Sequence, residues 1–253
     1  MDCDLQNYYF GTSGLLLPVP NKTYYPAQFQ AKSRLCYYGS LMNSIEINSS
    51  FYKIPLAITV KKWAVDVPQD FRFTFKLFKE ITHHKNLAFD PSVVSKFFEA
   101  IAGAEPKSGC ILVQLPPSVR IANYKQLQFL FNVLDEYNHL KWKIAVEFRH
   151  SSLYIDEVYE LMEAHGFAMV IHDKFSNPTL QHQNHTNFIY LRFHGPEGNY
   201  RGTYTDDILY EYATYINDWA AEGKKVFVYF NNTMGDAIAN LNALKQSVNS
   251  ING

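Results

Sequence analysis

The sequence predicts a single-domain α/β fold of the (β/α)8 barrel type, and three observations predict it. Eight short β-rich runs alternate with helical patterns along 253 residues. Several runs carry apolar residues on one parity and polar residues on the other, the signature of a strand with two different faces. The polar residues gather toward the C-terminal ends of the runs, where barrels place ligand chemistry. An open doubly wound sheet is the alternative, because sequence does not show whether strand one pairs with strand eight. No Pro/Ser-rich tract, charge block or close internal repeat interrupts the chain, so residues 1–253 read as one domain.

In chain order the runs are Tyr8–Ser13, Ser44–Asn48, Phe71–Leu77, Cys110–Leu115, Lys143–Arg149, Ala168–Asp173, Phe188–His194 and Val226–Asn231. Helix signals lie between them. Asp90 before Pro91 is an N-cap followed by a first-turn proline, and Gly103 is expected to close that helix. Leu153–His165 is expected to end at Gly166. Thr205, Asp206 and Asp207 open a helix that ends near Gly223, and Met234 to about Val248 forms the last one. Parity sorts the strands. Phe71, Phe73, Phe75 and Leu77 oppose Arg72, Thr74 and Lys76; Ile144, Val146 and Phe148 oppose Ala145, Glu147 and Arg149. Ile189, Leu191 and Phe193 oppose Tyr190, Arg192 and His194, and Ile45 and Ile47 oppose Ser44, Glu46 and Asn48. The apolar faces belong under the helices, so the polar faces point inward.

Composition excludes several classes of protein. With 47% hydrophobic residues, 19 Phe, 18 Tyr and 3 Trp, the chain has ample material for a core, which excludes intrinsic disorder. Lys+Arg 23 against Asp+Glu 24 leaves a net charge of −1, which argues against nucleic acid or an anionic membrane as partner. No apolar stretch approaches the ~20 residues of a spanning helix. Met1-Asp2-Cys3-Asp4 lacks the basic region of a signal peptide. Cys3, Cys36 and Cys110 are odd in number and widely spaced, so neither a disulfide framework nor a thiolate metal site is expected. Cys110 alternates with Leu112 as a core thiol, and a cytoplasmic location is the expectation.

The inward or terminal polar residues form the candidate site. They are Ser13, Glu46 with Asn48, Lys76, Gln114, Glu147 with Arg149, His172 with Asp173, Arg192 with His194, and Asn231 with Asn232. Buried charge is unfavourable unless paired, so eight strands ending this way point to a ligand site at the barrel mouth. Glu46 and Glu147 are candidate acid/base groups. Lys76, Arg149 and Arg192 are suited to holding an anion, the arginines bidentately. His172 and His194 could move protons. A structural reading stands beside this one, with Glu147 pairing to Arg149, or Glu46 to Arg192, and merely fastening the barrel. The loop His194-Gly195-Pro196-Glu197-Gly198-Asn199-Tyr200-Arg201-Gly202, with Tyr200 as a further substrate contact, and the loop Asn231–Asp236 suit phosphate-like binding or ordinary turn chemistry. Lys79, Thr82, His83 and His84 form either an anion-contacting rim or a solvated loop. Lys61-Lys62-Trp63 reads as the wet side of a helix with a docked tryptophan.

These residues also carry a resemblance. Gly11-Thr12-Ser13-Gly14, Glu46-Ile47-Asn48-Ser49-Ser50-Phe51-Tyr52, Phe71-Arg72-Phe73-x-x-Lys76 and Ile81-Thr82-His83 resemble the YecE-like family, known as domain of unknown function 72. Gln114-Leu115-Pro116-Pro117, Glu147-Phe148-Arg149-His150, His194-Gly195-Pro196, Tyr200-Arg201-Gly202 and Tyr229-Phe230-Asn231-Asn232-Thr233 agree with it, so the resemblance spans about residues 9–244. It implies a TIM-type barrel and names no reaction. Leu15 and Leu153 stand where the family pattern has tryptophan, which implies a stacking surface lost near the mouth.

Three functions fit these residues. The first is a metal-independent enzyme, a hydrolase, lyase or isomerase, acting on a small phosphorylated or carboxylated substrate without a cofactor. Glu46 or Glu147 is then the acid/base, Lys76, Arg149 and Arg192 the clamp, and His194 a proton donor or oxyanion stabiliser. The second is a divalent-metal hydrolase, isomerase or nuclease-like barrel using Glu46, Glu147, His172, Asp173 and His194. Against it stand the neighbouring cations and the lack of His-x-His or His-Glu-x-x-His spacing. The third is a non-catalytic anion-binding protein. A glycosidase is disfavoured because Gln114 and Arg192 with His194 occupy the ends of strands four and seven, where paired carboxylates are needed.

Overall fold

The computed structural model describes residues 7–173 and 186–252. Among the described residues, nine strand segments form two all-parallel sheets, interleaved with helices. The first half contains β1 (Tyr8–Thr12), α1 (Arg34–Gly39), β2 (Ser44–Ile47), α2 (Ser49–Tyr52), α3 (Ala57–Asp66), β3 (Arg72–Lys76), α4 (Lys79–Thr82), α5 (Pro91–Ile101) and β4 (Ser108–Gln114). The second contains α6 (Tyr124–Tyr137), β5 (Lys143–Glu147), α7 (Asp156–Ala164), β6 (Ala168–Met169), β7 (Ile171–His172), β8 (Phe188–Phe193), α8 (Asp206–Ala221), β9 (Lys225–Phe230) and α9 (Ala237–Asn252). One sheet has the order β1-β9-β8-β7 and the other β2-β3-β4-β5-β6.

The sheets meet at two places. Beyond β1, Ser13 bridges to Glu46 of β2, and Gly14 N–H donates to Glu46 O at 2.8 Å. The run expected as one strand over Ala168–Asp173 is split at Val170, whose N–H donates to Val146 O of β5 at 2.9 Å. Ile171 and His172 then pair with Leu191 and Arg192 of β8. The chain passes there from one neighbour to the other, which is why the strand divides.

Strand parity separates two apolar clusters. The larger combines the helices' buried faces with Ile45, Ile47, Phe73, Phe75, Ile144, Val146, Ile189 and Leu191. The smaller lies on the opposite strand face: Tyr9, Cys110, Leu112, Ala145, Ala168, Val170, Phe188, Tyr190, Phe227 and Tyr229. Tyr9 stacks on Phe227 with centroids 4.7 Å apart, and Tyr190 tilts against Tyr229 at 5.1 Å. Tyr229 is fully buried, and its hydroxyl bonds Ser44 Oγ at 2.6 Å and Thr74 Oγ1 at 2.7 Å. Cys110 is a buried free thiol, Cys36 is half-buried, and Cys3 lies outside the described residues.

Several element ends differ from the sequence reading. Asp90 caps α5 by accepting from Ser92 N–H at 2.9 Å, but that helix runs on into a 3-10 turn over Ala102–Lys107. Gly103 lies inside this turn, close to Lys61 of α3, so backbone proximity explains it better than helix termination. Leu153 belongs to a separate turn and is buried, and α7 begins only at Asp156. Turns occupy the chain from Met234, so α9 begins at Ala237 and extends to Asn252. Thr205 makes no side-chain cap bond; the acids Asp206 and Asp207 supply the favourable charge at the start of α8. Lys61 and Lys62 are exposed on α3, with Trp63 packed against the core.

Candidate functional site at the C-terminal strand ends

Parallel strands place their C-terminal ends together, and the charged residues meet there around Arg192. This guanidinium is 2% exposed and touches two carboxylates. Nε donates to Glu46 Oε2 at 3.0 Å, Nη2 to Glu46 Oε1 at 2.7 Å, and Nη1 to Glu147 Oε2 at 2.6 Å. Glu46 also accepts from Ser13 Oγ at 2.7 Å and from Tyr190 OH at 2.6 Å. Burial alone would raise the Glu46 pKa; the charge of Arg192 and the bonds from Arg192, Tyr190 and Ser13 outweigh it and hold the carboxyl below its usual range. Glu147 follows the same logic more strongly: burial opposes the charge, but Arg192 and Arg149 hold it well down. Its Oε1 pairs with Arg149 Nη2 and has no hydrogen bond of good geometry. Both carboxylates are therefore anions, and every nitrogen of Arg192 is engaged.

His194 closes the network. Its Nε2 lies 3.1 Å from Arg149 Nη2 and 3.3 Å from Arg192 Nη1, and guanidinium groups can only donate. Nε2 is therefore the acceptor, the ring is neutral, and its proton sits on Nδ1, 3.3 Å from Asp173 Oδ1. Burial lowers the ring's pKa, consistent with that state. Asp173 is fixed in turn, with Oδ1 accepting from His194 N–H at 2.8 Å and Oδ2 from the Tyr204 hydroxyl. His172 is also buried, with Nε2 3.4 Å from Tyr154 OH, and burial lowers its pKa to about 4. The two imidazoles meet edge-on at 5.8 Å.

Lys76 ends β3 with Nζ 2.8 Å from Gln114 Oε1 and 4.2 Å from the centre of the Phe51 ring. Among the described residues it touches no carboxylate. Burial, aided by the charge of Arg192, brings its pKa down to about 8. Arg149 leaves Nε buried without a hydrogen bond, as Asn48 does its Oδ1.

The remaining expected residues divide between lining and scaffold. Tyr200 packs its ring against His194 at 5.7 Å. Asn231 supplies its backbone N–H to Phe193 O at 2.7 Å. Asn232 is fully buried, and its Nδ2 bonds Gly202 O and Asn240 Oδ1, both at 3.0 Å, which ties the two long loops together. Of the expected rim residues, Lys79 and Thr82 bound α4, Thr82 Oγ1 lies 2.8 Å from His83 Nδ1, and His84, just beyond the helix, pairs with Glu80 at 2.7 Å. Leu15 is half-buried against the core and Leu153 fully buried. The sequence reading did not assign Tyr190, Tyr204 or Phe51 to the site. The parity rule already put Tyr190 inward, whereas nothing local to Tyr204 announces its bond to Asp173.

No group of three or more His, Cys, Asp or Glu side chains is arranged to hold a metal ion among the described residues. Glu46, Glu147 and His194 Nε2 each face guanidinium donors, where a metal site needs free lone pairs. Among the described residues, no helix is long and apolar enough to cross a membrane.

Comparison with known proteins places this arrangement in a family. The chain is 26% identical over 245 residues to UPF0759 protein YunF of Bacillus subtilis (strain 168), covering 83% of this chain and 84% of that protein. It is 28% identical over 121 residues to UPF0759 protein YecE of Escherichia coli (strain K12), covering 46% and 42%. A crystal structure of a DUF72 family protein from Enterococcus faecalis V583 superposes with a TM-score of 0.74 at 22% identity, covering 96% of this chain and 95% of that one. One from Thermotoga maritima MSB8 gives 0.70 at 24%, covering 96% and 99%. The family model described as protein of unknown function DUF72 matches residues 9–252. The chain belongs to the DUF72 family.

Proposed function

We propose that this protein is a metal-independent enzyme acting on a small phosphorylated or carboxylated substrate at the C-terminal strand ends, with the two parallel sheets acting as one (β/α)8 barrel. The Ser13–Glu46 bridge and the passage through Val170 support the continuous wall. One observation carries the functional reading: Lys76 touches no carboxylate among the described residues, and Arg149 leaves Nε without a hydrogen bond. An anion would satisfy both. Arg192, fully used by Glu46 and Glu147, positions those carboxylates instead of clamping substrate.

The acid/base work then falls to His194 and Glu147. His194 has the Asp173 bond that orients a base, but two guanidinium groups cover its Nε2. Drawing Arg149 onto an anion would free Glu147 Oε1 and remove the nearer of the two donors from Nε2, leaving only the longer 3.3 Å contact from Arg192, so substrate binding would strengthen the base. In this reading His194 acts as a proton acceptor at first, where the sequence suggested a proton donor or oxyanion stabiliser, and Glu46 remains an anchor.

The test is a screen of small phosphorylated and carboxylated compounds by thermal shift, followed by product detection for each binder. Binders should lose their shift in Lys76→Gln and Arg149→Gln, and at least one should be turned over, with loss in His194→Gln. Binding unaffected by the first two variants would refute the clamp. Binding without turnover of any binder would favour a sensor or carrier.

A further inference from the structure

The strands' N-terminal ends carry a second concentration of charge, composed differently from the first. Arg72, Lys143 and Lys225 are the first residues of β3, β5 and β9, so parallel pairing brings them to one end of the fold. The Arg72 guanidinium sits 5.5 Å from the centre of the Tyr9 ring, and Lys143 Nζ 5.9 Å from that of Phe188. Both rings belong to the smaller apolar cluster and pack on Phe227, so the cations stand on an aromatic floor. A cavity of about 840 Å³ opens here, lined among others by Tyr9, Ser40, Gln69, Arg72, Lys225 and Lys245. That is the size of a small-molecule site.

The charge balance is what sets this end apart. At the other end each arginine contacts a carboxylate. Here, among the described residues, none of Arg72, Lys143, Lys225 and Lys245 makes a salt bridge. Arg72 Nη1 donates only to Gln69 O at 3.2 Å and Phe71 O at 3.0 Å, and Lys245 Nζ to Leu41 O at 3.4 Å. Asp70 also lines the cavity and is the single acid among its lining residues. Lys107 adds charge nearby while its Nζ is engaged by Ala64 O at 2.7 Å and Val67 O at 2.6 Å. Burial first, then repulsion from Lys225 and Arg72, lowers the pKa of Lys143. Like charges held together without counter-ions are unfavourable unless an anion joins them.

We propose that this N-terminal cavity is a separate binding site for a phosphorylated small molecule, held by Arg72, Lys225 and Lys245 beside the Tyr9 ring. Arg72 and Lys76 lie at opposite ends of β3, ~13 Å apart at ~3.3 Å per residue, so its occupant does not reach the C-terminal site.

Isothermal calorimetry of the full chain with inorganic pyrophosphate, in phosphate-free buffer, tests this. Saturable binding is expected in a Lys76→Gln/Arg149→Gln background, which removes the proposed C-terminal clamp, and it is weakened at least tenfold when Lys225→Gln or Lys245→Gln is added. Lys225 is exposed at the start of its strand, so Lys225→Gln should fold normally and its thermal midpoint without ligand should not fall. The proposal is overturned by equal binding after Lys225→Gln and Lys245→Gln, or by no binding at millimolar pyrophosphate in the Lys76→Gln/Arg149→Gln background. That last result, with binding in the wild type, would leave the C-terminal site as the anion site. Loss confined to the N-terminal variants would leave the proposed C-terminal chemistry untested by this probe and unharmed.

Discussion

Replacing Arg192 with methionine should destabilise the protein more than removing any other single charge. The substitution deletes three charge-assisted hydrogen bonds and leaves two buried carboxylates to their remaining partners, Ser13 and Tyr190 for Glu46 and Arg149 for Glu147. Breaking a buried pair from one side typically costs about 3–5 kcal/mol, because the surviving charge stays desolvated. At ~2–4 °C per kcal/mol for a chain of this size, the thermal midpoint should fall by roughly 6–20 °C at pH 7. The pH dependence identifies the cause. In the wild type both carboxyls have depressed pKa values, so their contribution is full above the unfolded-state value and is lost as pH falls through the folded-state value. Without Arg192 burial prevails and their pKa values rise, so protonation relieves the variant as pH falls. The deficit of Arg192→Met should therefore shrink between pH 7 and pH 4, and adding Glu46→Gln and Glu147→Gln should recover stability at pH 7. Denaturant unfolding across that range is the assay. A midpoint within 2 °C of wild type by a ~2–4 °C per kcal/mol scale, or a deficit independent of pH, would refute the reasoning.

Three further outcomes are expected. His172 has a folded-state pKa of about 4 against an ordinary 6.5, so the unfolded chain binds its proton first and stability should fall from pH 6.5 toward 4, by up to about 3 kcal/mol from this ring; His172→Phe should flatten that slope in unfolding titrations. The Lys76 amine should titrate near pH 8, so NMR of lysine labelled at the ε-carbon should show a midpoint there that is absent in Lys76→Gln. Gly195 has φ +99°, and a Cβ there would lie 2.2 Å from Arg201 O, so Gly195→Ala should cost at least ~1–3 kcal/mol and be visible as a lowered midpoint together with loss of anion binding at the His194 loop.

The residues show which parts of this fold were legible. Alternation in Phe71–Leu77 and Phe188–His194 assigned inward and outward faces correctly, because side-chain direction in a strand has a period of two. Arg192, Glu46 and Glu147 were therefore expected on one face. Their roles were not. Which nitrogen of Arg192 meets which carboxylate depends on lateral neighbours 45 and 146 residues away, and no local pattern encodes those distances. The direction of the His194 proton likewise follows from Arg149, Arg192 and Asp173 jointly. The break at Val170 was hidden for a related reason: Ala168–Ile171 are all apolar, so nothing around Val170 marks where pairing changes from β5 to β8. Tyr204 was missed because its hydroxyl reaches Asp173 from a loop whose sequence resembles an ordinary helix approach.

The layer of Tyr9, Leu112, Phe188, Tyr190, Phe227 and Tyr229 has a kinetic consequence. These side chains fill the space between the two strand ends, with Tyr190 and Tyr229 fully buried. In the (β/α)8 barrel proposed above, an interior filled by these residues leaves no through-route among the described residues, so whatever enters at the C-terminal ends departs by the same opening. Under the reaction proposed above, product would occupy the doorway its successor needs, and steady-state turnover should show product inhibition that rising substrate concentration overcomes.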